Sequence, residues 1–373
     1  MTKLRVALVG AGMAGQAHAF GYRNASMADD LAGLDVELAV VADTAEHLAR
    51  DVQSRYGFAE ATADIRRITE DPSIDAVSVA LPNFTHEAVL EPLIRSGKHI
   101  LTEKPLGADL AQARHLAALG AEHPDAVHGV GFSYRRIPAL AEMARIVRSG
   151  ELGDVWHFEA SYYCDHAAPA DYPYTWRFDH AASGGGALMD LGIHVLDAVS
   201  FAVSPIEEVV SSQLRTVIPQ RPDREGEMRP VTNDDVATML VRTASGASGA
   251  VTTSRVAHGR PNRLMVSAYC SGGFASFDTE HYNDLTILPA DGSDQRIGGP
   301  RTVVIGPENP RYSDVSSFRS RGVNTGYGEA FIAEVQDFLR AILGVAPMPT
   351  TFETAVDAMR LVQSVYDAHG VRR

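Results

Sequence analysis

The chain has 373 residues, 45 % of them hydrophobic and 21 % charged: more length than one hydrophobic core usually serves, in proportions ordinary for a folded protein. A formal net charge of −14, from 47 acidic against 33 basic residues, argues against nucleic acid and anionic membrane surfaces as partners. Two cysteines, Cys164 and Cys270, do not make a disulfide framework, so the expected compartment is a reducing one, the cytoplasm.

The N-terminus, MTKLRVALVG, enters a strand pattern at once, without a charged leader and apolar stretch, so no secretory signal is expected. No run of about eighteen apolar residues calls for a membrane span. Nearly all-apolar strands are expected at 4–9, 36–42, 76–81, 99–102 and 126–131, alternating with helices at 12–26, 45–55, 87–96 and 110–122. This βαβ rhythm predicts a doubly wound parallel sheet covered on both faces, a Rossmann domain over residues 1–130. Beyond it the rhythm changes. A helix at 139–149 and a strand at 155–163 lead through a loop rich in Pro, Tyr and Asp to one helix at 186–201. From 209 to 288 strands follow one another without crossover helices, which points to a mainly antiparallel sheet; TMLVRTASGASGAVTTSRV reads as a hairpin, with Gly246 and Gly249 near its turn. The polar, proline-bearing stretch 219–230 reads as a surface loop. Two helices, 329–343 and 353–366, separated by Pro347–Met348–Pro349, close an α+β domain over 131–373.

Four segments carry chemistry. The first strand runs into Gly10, Ala11, Gly12, Met13, Ala14 and Gly15 and then a helix, the context in which a glycine loop cradles a pyrophosphate against a helix N-terminus. The second strand ends in Asp43, where a carboxylate can accept both ribose hydroxyls of NAD and repel the 2′-phosphate of NADP, or cap the next helix. The fourth strand ends in Glu103–Lys104–Pro105, beyond the carboxyl edge where ligands of such sheets bind. In the fourth segment, SGGGALMDLGIH, Asp190 and His194 fall at i and i+4 on one helix. Histidine can take a hydroxyl proton near neutral pH, and a lysine ammonium can steady the alkoxide. The plainer readings are a structural helix-face pair or two metal ligands; no further C-x-x-C or H-E-x-x-H cluster accompanies them, so no metal is expected.

On VALVGAGMAG, ALPNFTH, GFSYRRIPA, LTEKPL, SGELGDVWHFEASY and GGGALMDLGIHVLD, the chain resembles the glucose–fructose oxidoreductase/inositol dehydrogenase (Gfo/Idh/MocA) family over nearly its whole length. The resemblance implies NAD as cofactor and Lys104, Asp190 and His194 as catalytic residues, with His194 the proton acceptor. It implies that Pro82, Asn83, His86, Glu103 and Lys104 sit beside the cofactor, together with the glycine loop and Asp43, and that the Lys104–Pro105 bond is often cis. It further implies an open-faced C-terminal sheet whose uncovered face packs on another subunit, giving a homodimer or homotetramer. Tyr134, Arg135, Trp176, Arg177 and Tyr327, with Asp190 and His194, are expected to bind substrate; the blander reading packs Trp176 into its loop and pairs Arg177 with Asp179. The expected activity is oxidation of a secondary hydroxyl of a sugar or cyclic polyol (inositol, anhydrosugar or glycoside). Competing readings are an NAD-dependent glycoside hydrolase working by transient oxidation, and a non-catalytic NAD-binding sensor.

Overall fold

The computed structural model describes residues 3–290 and 298–371. Contacts divide the chain into two compact units: Met1–Arg136 with Ser313–Phe318 and Thr325–Asp357, and Ile137–Tyr312 with Arg319–Asn324 and Ala358–Arg373.

In the first unit six strands, β1 (Lys3–Val9), β2 (Asp35–Ala42), β3 (Glu60–Thr62), β4 (Ala76–Val79), β5 (His99–Glu103) and β6 (His128–Gly131), form one sheet in the order 3-2-1-4-5-6. Every pairing is parallel. This is the doubly wound order in which ligands bind beyond the strands' carboxyl ends. The strands are apolar because both faces are covered: Val6, Ala7, Val41, Val77 and Leu101 have no exposed surface. Helices α1 (Met13–Asn24), α2 (Glu46–Tyr56), α3 (His86–Arg95) and α4 (Leu110–Ala121) connect them. Only the short edge strand β3 had no signal in the sequence reading; three residues are too few for periodicity to register.

In the second unit α5 (Pro138–Arg148) precedes β7 (Val155–Tyr163), and α6 (Ile193–Ala202) precedes β8 (Ile206–Arg215). A small hairpin, β9 (Gln220–Pro222) with β10 (Met228–Pro230), is followed by β11 (Val236–Thr243), β12 (Ser248–Ser254), β13 (Arg263–Cys270), β14 (Gly273–Asp278), β15 (Asp284–Pro289) and β16 (Arg301–Val304). Eight of these make a sheet in the order 16-15-14-13-7-12-11-8. All its neighbours are antiparallel except β7 and β12, which run parallel, so the sheet is mixed at one seam. The alternation is clean: Ala237, Met239 and Val241 of β11 are buried on the helix side, while Leu240 between them is 52 % exposed. On that open face His157 stacks on Tyr269 at 4.4 Å, and Tyr269 lies 5.0 Å from Phe274.

Two expectations need correcting here. Residues 219–230 are not a mere surface loop, because Arg221 within them is fully buried. Its guanidinium lies 4.5 Å from the Phe178 ring centroid and donates to the carbonyls of Pro169 and Ala167. Nor is 186–201 one α-helix: Leu188–Gly192 forms a π-turn, in which Ile193 N–H reaches back to the Leu188 carbonyl, and α6 starts after it. The stretch His180–Ala202 is long and apolar enough to cross a membrane, but 83 % of its most apolar window is buried within the fold, as in a core helix. Cys164 and Cys270 are buried and not joined in a disulfide.

The chain ends with α7 (Tyr327–Ile342), which packs against α1 in the first unit, and α8 (Phe352–Ala368), within which the boundary between the units falls.

Candidate active site

The glycine loop is shaped by close approach. Gly10 has φ +100°, and a Cβ there would meet the Ala80 carbonyl at 2.2 Å; one on Gly15 would meet the Gly10 carbonyl at 1.9 Å. At Gly12, by contrast, a Cβ would meet nothing within 4 Å, and Met13 is 88 % exposed. No acidic residue lies in the first turn of α1 and no side chain caps it, so its N–H groups and positive dipole end are open to an anion. Asp43 is tied to this loop: Oδ2 accepts from Ala11 N–H and Oδ1 from Ala45 N–H, both at 2.8 Å. A dinucleotide's pyrophosphate and ribose fit these donors and this carboxylate.

At the exit of β4, Pro82 and Asn83 are half-buried, the latter opening a short 3₁₀ turn. His86 lies deeper, fully buried, with Nε2 2.9 Å from the Leu81 carbonyl; burial holds its pKa below the usual imidazole value. It secures the loop from behind rather than presenting a side chain to solvent. Glu103 and Lys104 are half-buried at the exit of β5, Glu103 Oε2 accepts from the Lys104 N–H at 3.2 Å, and the Lys104–Pro105 bond is cis. In the same unit Tyr134 is buried, and its ring meets Tyr327 edge-on at 5.8 Å; Arg135 is half-buried and Tyr327 is 44 % exposed.

In the second unit Asp190 sits in the π-turn and is half-buried; His194 is 8 % exposed in the first turn of α6, with the Tyr162 ring 6.0 Å away. The inserted residue changes which faces Asp190 and His194 present, compared with a regular helix, and such turns recur at functional sites. Trp176 and Arg177 belong to the preceding loop, where the exposed Arg177 guanidinium stacks 4.5 Å over the Trp176 ring. Asp179 instead caps the short helix His180–Ser183 by accepting from Ala181 N–H at 3.0 Å. His166, which the sequence did not single out, is set edge-on to Tyr172; burial lowers its pKa, with Asp190 opposing the shift and Arg255 and Arg177 adding to it.

What holds this segment is the triplet Asn233–Asp234–Asp235, which sequence reasoning missed. Asp234 Oδ2 accepts from Leu188 N–H at 2.7 Å, and Oδ1 accepts from Gly186 N–H at 3.1 Å and the Tyr366 hydroxyl at 2.9 Å. Two glycines of the GGG run make room for these contacts: a Cβ on Gly186 would lie 1.9 Å from the Asp234 carbonyl, and one on Gly185 2.1 Å from the Tyr366 hydroxyl. Asn233 Nδ2 donates to the Arg177 and Gly185 carbonyls at 2.9 Å each. Asp235 accepts from Arg255 Nε at 2.8 Å, and Arg255 Nη1 donates to the Arg177 carbonyl at 3.0 Å. The phenyl of Phe178 lies 4.5 Å from both Arg255 and Arg221. The loop before the π-turn and the turn itself therefore share one set of anchors. The only signal was the NDD run itself, which reads as turn chemistry without the distant groups it binds.

A family model described as the NAD-binding Rossmann fold of an oxidoreductase family matches residues 4–132, and the GFO/IDH/MocA C-terminal domain matches 140–275. Levoglucosan dehydrogenase of Pseudarthrobacter phenanthrenivorans is 33 % identical over 92 % of this chain and 90 % of its own. The scyllo-inositol 2-dehydrogenase (NAD(+)) of Bacillus subtilis is 25 % identical over 95 % and 91 %. A solved structure of levoglucosan dehydrogenase with NADH and levoglucosan matches with a TM-score of 0.93 at 31 % identity, covering 99 % of this chain and 98 % of that one.

Proposed function

Since this chain belongs to the Gfo/Idh/MocA family of NAD-dependent oxidoreductases, and its relatives include levoglucosan and inositol dehydrogenases, we propose that it oxidises a secondary hydroxyl of a cyclic sugar or polyol to a ketone. An anhydrosugar of the levoglucosan type is the favoured substrate. The observation that carries this reading is the near full-length likeness to an enzyme solved with NADH and levoglucosan, at 31 % identity. The inositol dehydrogenases are more distant, at 25 %.

In this reading the glycine loop of Gly10, Gly12, Met13 and Gly15 holds the pyrophosphate, and Asp43 holds the ribose. Pro82, Asn83 and Glu103 border the ring, with His86 behind them. Bound NAD supplies the acceptor for the hydride leaving carbon. His194 takes the hydroxyl proton, and the Lys104 ammonium steadies the charge left on oxygen. Asp190 orients the substrate hydroxyls, while the Trp176 face and Arg177 donors, with Tyr134, Arg135 and Tyr327, set which ring is accepted. The same reading keeps Cys164 and Cys270 reduced in the cytoplasm.

A screen of anhydrosugars, inositols and glycosides with NAD, followed by NADH absorbance, tests the proposal; levoglucosan is expected to give the highest kcat/KM. Lys104→Ala is expected to lower kcat by about a hundredfold or more while NAD still binds. Undiminished turnover in that variant would remove Lys104 from the mechanism, and release of a free aglycone without net NADH would favour glycoside cleavage.

A further inference from the structure

One ionisable side chain near the exit of β5 has no place in that chemistry. Glu334, on α7, has no exposed surface, and neither of its carboxyl oxygens has a hydrogen-bond partner among the described residues. Arg136 Nη1 stands 3.9 Å from Glu334 Oε2, beyond hydrogen-bonding range. That guanidinium is committed elsewhere: Nε donates to Asp337 Oδ2 at 3.1 Å, Nη1 to the Phe132 carbonyl and Nη2 to Thr350 Oγ1, each at 2.8 Å. A buried carboxyl without donors holds its proton to higher pH than an exposed one. Burial pushes Glu334 up to about 7; Arg136 and His18 oppose the rise, and Glu103 and Asp337 add to it.

The oxygens face a space shared with two other groups. His18, on α1, is fully buried, with Nδ1 3.1 Å from Ser78 Oγ and Nε2 3.3 Å from Glu103 Oε1; Ser78 Oγ in turn lies 3.0 Å from the Tyr22 hydroxyl. Burial works against a charged His18, yet its hydrogen bond to Glu103 and the charges of Glu103 and Glu334 carry its pKa above the ordinary value. One atom each from His18, Glu103 and Glu334 lies within 4.8 Å of the others. Gly131 borders the same space, since a Cβ there would stand 3.1 Å from Glu334 Oε1 and 3.4 Å from Glu103 Oε1. A divalent cation would have to sit beside the Arg136 guanidinium, so a shared proton fits the charges better. Glu103 carries the cluster outward, because its other oxygen accepts from the Lys104 N–H.

We propose that His18, Glu103 and Glu334 form a buried proton-sharing cluster that fixes the Glu103 carboxylate and, through it, the backbone of Lys104. His18 and Glu334 are then positioning residues, an inference that rests on the role given to Lys104 above. The groups facing Glu334 are His18 and Tyr22 from α1, Glu103 from β5, Arg136 from the turn after β6, and Asp337 from α7 itself. With Glu334 protonated the remaining charges pair: His18 with Glu103, Arg136 with Asp337. Ionisation of Glu334 adds an unpaired negative charge, so the two carboxylates compete for His18. The pair therefore titrates in two coupled steps.

The test follows the His18 ring by carbon-detected NMR on the full-length protein without NAD, from about pH 5 to about pH 9. Its signal is assigned by its loss in His18→Gln. The native curve is expected to be two-step; in Glu334→Gln it becomes a single step at lower pH by about one pH unit. The pH profile of NADH formation by that variant should lose its limb near neutrality, with KM for NAD within about twofold of native. An unchanged His18 curve in Glu334→Gln overturns the proposal. Should that variant not fold, infrared spectra of the native protein decide: the C=O band of a protonated carboxyl must persist at about pH 6 and fade by about pH 8, and its absence overturns the cluster. If no sugar or polyol is oxidised at all, the imidazole titration still tests the cluster, and only the role of Lys104 falls.

Discussion

Asp43 carries two loads. Its oxygens accept from Ala11 N–H in the glycine loop and from Ala45 N–H at the start of α2, yet each oxygen keeps a lone pair for a ribose hydroxyl. The two roles open to it from sequence alone, helix cap and ribose acceptor, are thus compatible in one side chain. Replacing it should damage both. Asp43→Ser is expected to raise Kd for NAD about tenfold, to narrow the preference over NADP, and to cost about 1 kcal/mol of stability through the lost loop contacts. Fluorescence titration with both dinucleotides and thermal unfolding separate the two effects; unchanged discrimination would leave Asp43 as a structural tie alone. At this same scale the sequence showed its limits. Glycine, lysine and histidine motifs were legible because their chemistry is local. Glu334 and His18 were not, because a buried acid and a buried histidine each occupy one position of an amphipathic helix and look there like ordinary polar punctuation.

Among elements, the parallel strands of the first unit other than β3 could be read within a residue or two, since a strand covered on both faces is written as an apolar run. The π-turn could not. Its hydrogen-bond register is imposed by Asp234, 46 residues away from Leu188, and nothing within residues 186–201 encodes that partner. The hairpin strand β9, which buries Arg221, was hidden for the same reason: composition reported a polar segment, while the acceptors for Arg221 lie on residues 167 and 169. The anchoring predicts large effects from small changes. Gly186→Ala forces a methyl against the Asp234 backbone and should destabilise by about 3 kcal/mol or prevent folding. Asp234→Asn keeps the shape but gives up the charge that holds two N–H groups and a phenol, so a loss of about 2 kcal/mol and a lower kcat are expected together. Thermal melts and turnover measured side by side check this; a native kcat in Asp234→Asn would show that turnover does not depend on this anchor.

For the molecule as a whole, the eight-stranded sheet is finished on one side only. Among the described residues no helix covers its other face, which carries Leu240 at 52 % exposure and, farther along, a cross-strand row of His157, Tyr269 and Phe274. We propose this face as the subunit contact, giving a homodimer or homotetramer. Light scattering is then expected to report at least twice the chain mass of 40.1 kDa, and Leu240→Asp to lower it. A native particle of one chain mass would show that the face is simply solvated. The shared anchoring by Asn233–Asp235 and Arg255 also bears on redesign. Anyone transplanting the Trp176 loop from a relative would be grafting a branch without its root: the acceptor carbonyl of Arg177 must arrive with matching donors, or the turn that follows loses its support.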